Sequence, residues 1–196
     1  MTDCFRYLRL LSFVLLLPLA ACSMQMAKDN FPPIIFDAAS PVALDVARVD
    51  VVEKFTPPLT PPHVEHLAPV PPAHAMRNWA RDRLQAKGSG GAARFTIVDA
   101  SVTEQKLKKK EGLSGLVTSD QEVRYTVLLK ARVDVDAPTG QGFAEASVSR
   151  ERTVPEGLSV AEREQILHTL ITATAMDLDK QLERNVRGHL KAFLLN

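Results

Sequence analysis

The sequence predicts an α+β fold: a two-layer sandwich running strand, helix, three-stranded meander and long C-terminal helix, with both helices on one face of the sheet. Three patterns carry that expectation. Val123, Tyr125, Val127, Leu129, Ala131, Val133 and Val135 form one unbroken alternating row, the period of a strand with one face on a core. Ile166, Leu167, Leu170, Ile171, Thr174, Leu178, Leu182, Val186, Leu190 and Phe193 keep helical spacing almost to the C-terminus. Met76, Trp79, Ala80 and Leu84 make a shorter helical stripe, reached from the first strand through a proline-rich stretch. A parallel crossover followed by hairpins places both helices on the same side.

Residues 42–55 form the first strand. Leu44 and Val46 alternate on one face, while Val49 and Val51 continue one position out of phase, so a bulge is expected near Ala47 or Arg48. Residues 56–72 carry seven prolines, whose fixed φ and missing N–H exclude helix and inner strand. A stiff crossover explains them better than a docking strip. The first helix is expected over residues 73–87, stopped by Gly88-Ser89-Gly90-Gly91. Trp79, on its apolar stripe, reads as core rather than as a ligand platform.

Residues 94–104 form the second strand, with Thr96, Val98, Ala100 and Val102 on one face and Phe95 and Ile97 on the other. Residues 105–120 make a glycine-punctuated hairpin loop, in which Lys108, Lys109 and Lys110 are candidates for contact with anionic headgroups. Residues 121–136 are the clearest strand, and 143–154 return beside them with Ala144, Ala146 and Val148 inward. Small inward side chains allow a helix to approach closely. They also leave room for a lipid- or glycan-binding cavity between sheet and helices.

Ser159 with Glu162 makes a capping box that starts the last helix. Its stripe is about seven turns long, more than strands of five or six residues cover. The end of the helix is therefore expected to overhang the sheet. Leu190, Phe193 and Leu194 become candidates for membrane or partner contact, with packing on the N-terminal segment as the alternative.

The near-neutral charge, +1 over 196 residues, gives no argument for nucleic acid. No P-loop, nucleophile elbow or dinucleotide fingerprint is present. His63 and His66 flank Glu65, but an extended proline-rich segment does not hold them at metal-binding spacing. Asp134 with Asp136, and Asp177 with Asp179, read as solvated faces. The expectation is a non-enzymatic chain with no metal and no dissociable cofactor.

The N-terminus is the specific signal. Arg6 and Arg9 precede an apolar run from Leu10, too short to span a bilayer, which ends in Leu19-Ala20-Ala21-Cys22. This segment resembles the signal and lipobox of bacterial lipoproteins. The resemblance implies cleavage after residue 21, a diacylglycerol on the Cys22 sulfur and an N-acyl chain on its new amino group. Cys4 would leave with the signal, so the mature chain holds no disulfide. Residues 22–41 then serve as a lipidated tether to a single domain over 42–196, with Phe31, Ile34, Ile35 and Phe36 expected to dock on that domain rather than lie at the membrane surface. Ser23 follows the cysteine, and by the same resemblance sorting favours the outer membrane, facing the periplasm.

Behind the lipobox, the strand–helix–meander–helix order, with Asn78-Trp79-Ala80 on the first helix, is similar in pattern to auxiliary lipoproteins of ABC-type lipid-transport systems and, more distantly, to the lipopolysaccharide-assembly lipoprotein. That similarity implies an accessory or scaffold subunit with a protein partner in an envelope complex.

Overall fold

The computed structural model describes residues 31–107 and 122–195. Cys22 and the Lys108, Lys109 and Lys110 loop lie outside the described residues. In chain order the elements are β1 (Val42–Leu44), β2 (Val49–Glu53), α1 (Pro72–Arg83), β3 (Leu84–Ala86), β4 (Ala92–Leu107), β5 (Glu122–Ala137), β6 (Gly140–Pro155) and α2 (Val160–His189). Short 3-10 turns lie at Glu65–Leu67 and Lys191–Phe193. The main sheet has the order β2-β4-β5-β6, with β2 parallel to β4 and the rest antiparallel. Both helices pack on one face, completing the α+β sandwich expected from the sequence.

The β5 row is the centre of the core: Val127, Leu129, Ala131 and Val133 are fully buried. Phe95, Val133 and Ala144 pair across three strands on the helix-covered face. Trp79 from α1 stacks on Phe95, with centroids 5.2 Å apart. The two faces expected for β4 are in fact one. Its register shifts between Ile97 and Asp99, and this bulge brings Phe95 and Ile97 onto the same inner face as Ala100 and Val102. Val98 is turned out, 36% exposed.

The phase slip near Ala47 has a different cause from the expected bulge. The chain changes sheets there: β1 pairs in parallel with β3, and β2 starts afresh beside β4. For the same reason α1 ends at Arg83 rather than Lys87. Leu84–Ala86 spends its backbone bonds on β1, and Lys87 N–H donates to the Leu44 carbonyl at 2.9 Å. Gly88 then passes so close to β1's end that a Cβ would lie 2.6 Å from the Asp45 carbonyl carbon.

The proline-rich crossover runs along the far part of β4. The Val64 N–H donates to Val102 O, and Glu104 N–H to Pro62 O. The capping box at α2 forms as expected: the Ser159 hydroxyl accepts from the Glu162 N–H, and the Glu162 carboxylate accepts from the Ser159 N–H.

The C-terminal overhang does not occur. Each meander strand has 16 residues, about 53 Å at 3.3 Å per residue, whereas the 30 residues of α2 span about 45 Å. The sheet is long enough to cover the helix. Leu190 is fully buried and Phe193 is 7% exposed, both over Gly142, where even a Cβ would come within 2.9 Å of each. Leu194 bridges to Leu44, and the Leu195 N–H donates to the Ala43 carbonyl. Leu190, Phe193 and Leu194 are therefore packing residues that close the end of the core, rather than a membrane or partner patch.

Candidate functional site

Two surfaces stand out: the seat of the N-terminal segment between the helices, and a hollow on the face of the sheet away from them. The first begins at Phe31. Residues 31–40 have no regular structure, so their backbone groups need partners from elsewhere. The helices supply them. Asn78 Nδ2 donates to the Ile34 carbonyl at 2.9 Å, the Phe36 N–H to Asp82 Oδ2 at 3.1 Å, and Arg83 Nη1 to the Asp37 and Ser40 carbonyls. His168 Nε2 lies 3.0 Å from the Pro32 carbonyl, with its ring 5.1 Å from that of Phe31. Ile34 and Phe36 are 3% and 8% exposed, while Ile35 between them points out at 61%. Half of the expected tether is thus a strap built into the domain.

Arg83 ties the strap to both helices. Its side chain is 3% exposed and ion-pairs with Asp179 and Glu183 of α2. Asp179 Oδ1 also accepts the Trp79 indole N–H at 2.7 Å. Arg83 Nε is 3.0 Å from the same oxygen but off the N–H direction, so that contact is an ion pair without a hydrogen bond.

The second surface lies where β4, β5 and β6 turn their polar side outward, near the β5–β6 turn. Asp50, Arg94, Asp134 and Phe143 are register neighbours across four strands. With Arg48, Arg132, Asp136 and Gln141 they line an open hollow of about 510 Å³. Arg132 Nε donates to Asp134 at 2.8 Å, and its guanidinium lies 3.8 Å from the Phe143 ring centroid. Phe143 remains 50% exposed. A half-open aromatic with a guanidinium held against it is the composition of a binding hot spot. Along the neighbouring β6 edge, Glu145, Arg150, Glu151 and Arg152 oppose pairing with another sheet. Asn185 Nδ2 also occupies the Glu145 carbonyl there at 2.7 Å.

The remaining aspartate candidates have structural partners. Asp177 pairs with Arg150, a hydrogen bond that holds its carboxyl below the usual range. Asp179 belongs to the Arg83 network. Asp136 accepts from Gln141 at 3.2 Å. Glu65, 2% exposed, accepts the Val102 N–H at 3.3 Å with His63 Nδ1 3.6 Å away, and no group of three metal-ligating side chains gathers among the described residues. The space over Ala144 and Ala146, expected to admit a cavity, is filled by α2: the two are 1% and 3% exposed. No described helix is long and apolar enough to cross a membrane.

At the opposite end of the sheet, Tyr125 is 3% exposed beside Glu104 and Arg163. Burial, reinforced by the neighbouring Glu104 carboxylate, pushes its hydroxyl up to about 12. The folded state thus favours protonated tyrosine, and the unfolded chain ionises first, near 10. This stabilisation is complete below pH 10 and is lost as pH rises towards 12. Urea melts at pH 9 and pH 11.5 are expected to show wild type losing about 1–2 kcal/mol more than Tyr125→Phe. Parallel losses in the two proteins would contradict the assignment.

No family model matches the sequence, and no curated protein is similar to it. Among solved structures, the chain is similar to a minor lipoprotein from Acinetobacter baumannii, at 12% identity and TM-score 0.43, over 74% of this chain and 95% of that one. It is also similar to the rare lipoprotein B from Shewanella oneidensis, at 10% identity and TM-score 0.38, over 72% and 94%. These structural neighbours are bacterial lipoproteins, distant in sequence.

Proposed function

We propose that the chain is a lipid-anchored, non-enzymatic accessory subunit of a bacterial cell-envelope complex, with lipid transport as its setting. The observation that carries this reading is Leu19-Ala20-Ala21-Cys22 at the end of a signal-like segment, only nine residues before the strap at Phe31. A diacylglycerol and an N-acyl chain on Cys22 exceed the two anchoring signals that stable attachment needs. Ser23 directs the protein to the outer membrane, facing the periplasm.

Two features support a scaffold over a catalyst. The aspartates that stood as candidate acid–base pairs are engaged: Asp134 by Arg132, Asp136 by Gln141, Asp177 by Arg150, and Asp179 by Trp79 and Arg83. The Arg132–Phe143 hollow offers a protein partner an exposed aromatic anchor rimmed by both signs of charge. Cell fractionation tests the anchor: wild type is expected in the outer-membrane fraction, and Cys22→Ser in the inner membrane as uncleaved precursor or in the soluble periplasm. An unchanged outer-membrane location for Cys22→Ser would overturn the reading.

A further inference from the structure

The place where the chain enters the fold indicates which end meets the membrane. Phe31 packs on His168, eight residues after the start of α2. α1 starts nearby: Phe31 and Pro33 join Pro69, Val70, Pro71, His74, Arg77 and Asn78 around an open groove of about 510 Å³. A nine-residue chain reaches about 30 Å fully extended and spans roughly 17 Å as a coil. From His168 to the far end of α2 is about 32 Å of helix axis. Bringing the Phe143 end to the leaflet would require the connecting chain to stretch fully along the domain, whereas the groove lies at the point of attachment.

The groove's chemistry suits a headgroup layer. Phe31, Val70 and three prolines give it apolar walls. Arg77, shared with Glu53, sits at its rim. α1 opens into it with Pro71 at the N-cap, no side-chain cap and no acid in its first turn, which leaves the partial positive charge of the helix uncompensated. We infer that this groove is the membrane-apposed surface of the domain, resting on phospholipid headgroups of the leaflet that holds the lipid on Cys22. The proposal rests on the anchoring reading above. It turns the Arg132–Phe143 hollow away from the bilayer, where a partner can reach it.

The test uses the lipidated full mature chain in phosphatidylethanolamine–phosphatidylglycerol vesicles. With Cys22 acylated, Val70→Cys and Phe143→Cys each supply a single free thiol for a fluorophore. Lipids spin-labelled at the headgroup are expected to quench the probe at position 70 at least threefold more than that at 143. Arg77→Glu is expected to reduce the difference. Equal or reversed quenching in a sample whose mass shows lipid on Cys22 overturns this orientation and leaves the anchor standing. A chain without lipid overturns the anchoring reading, and this inference with it.

Discussion

Trp79→Ala is expected to destabilise the domain by about 4 kcal/mol, the cost of a large aromatic lost from a close-packed core. Trp79 is fully buried, stacks on Phe95 and donates its indole N–H to Asp179. The substitution leaves a cavity between α1 and the sheet and removes one of the two groups that hold Asp179. At 2–4 °C per kcal/mol for a domain of this size, the melting temperature should fall by about 8–16 °C. Trp79→Phe keeps most of the apolar contact and loses the hydrogen bond, so a loss of about 1–2 kcal/mol is expected. Differential scanning calorimetry of the two variants checks both. A ligand-stacking tryptophan would give the opposite result, with little change in stability for either.

Arg83→Leu is expected to cost about 3 kcal/mol. Removing one partner of a buried ion pair is expensive because the others are left uncompensated. Asp179 and Glu183 are 21% and 28% exposed, so water recovers part of the loss and the lower end of the usual range applies. The effect should also be directional. Arg83 is the donor to the Asp37 and Ser40 carbonyls, so the strap loses its lower fastening while the sheet keeps its own ladder. Hydrogen exchange should report it: the Phe36 amide, bonded to Asp82, loses protection, and amides of β5 retain theirs until global unfolding. Equal loss of protection in both places would mean that Arg83 stabilises the whole domain and has no special role in the strap.

The strap network was not legible in the sequence because no local pattern encodes it. Arg83 meets Asp179 and Glu183 across about a hundred residues; the only trace is matched spacing, Trp79 with Arg83 on one helix and Asp179 with Glu183 on the other. The β5 row and the Ser159–Glu162 capping box were legible, since period-2 alternation and an N-terminal cap depend on neighbours in the chain. Phase slips were ambiguous. At Ala47 the slip marks a change of sheet, and at Val98 a bulge that unites two apparent faces; both look the same as a one-position break in alternation.

The C-terminal helix shows how one length assumption spreads. A sheet of ordinary strands would have left Leu190 and Phe193 bare, and they looked like a contact patch. Strands of 16 residues cover them. The Arg132–Phe143 hollow has no local signature for the opposite reason: Phe143 stands at the start of a strand among turn residues, and only the register brings Arg132 and Asp134 beside it. Cys22 stands apart, since its assignment rests on sequence alone.

The most direct test is therefore the intact mass of the protein extracted from membranes of cells that express the full chain. The expected species is a chain beginning at Cys22, with a mass raised by a thioether-linked diacylglycerol and an amide-linked acyl group, both absent from Cys22→Ser. A mature chain that begins elsewhere, or that begins at Cys22 with no added lipid, would contradict it.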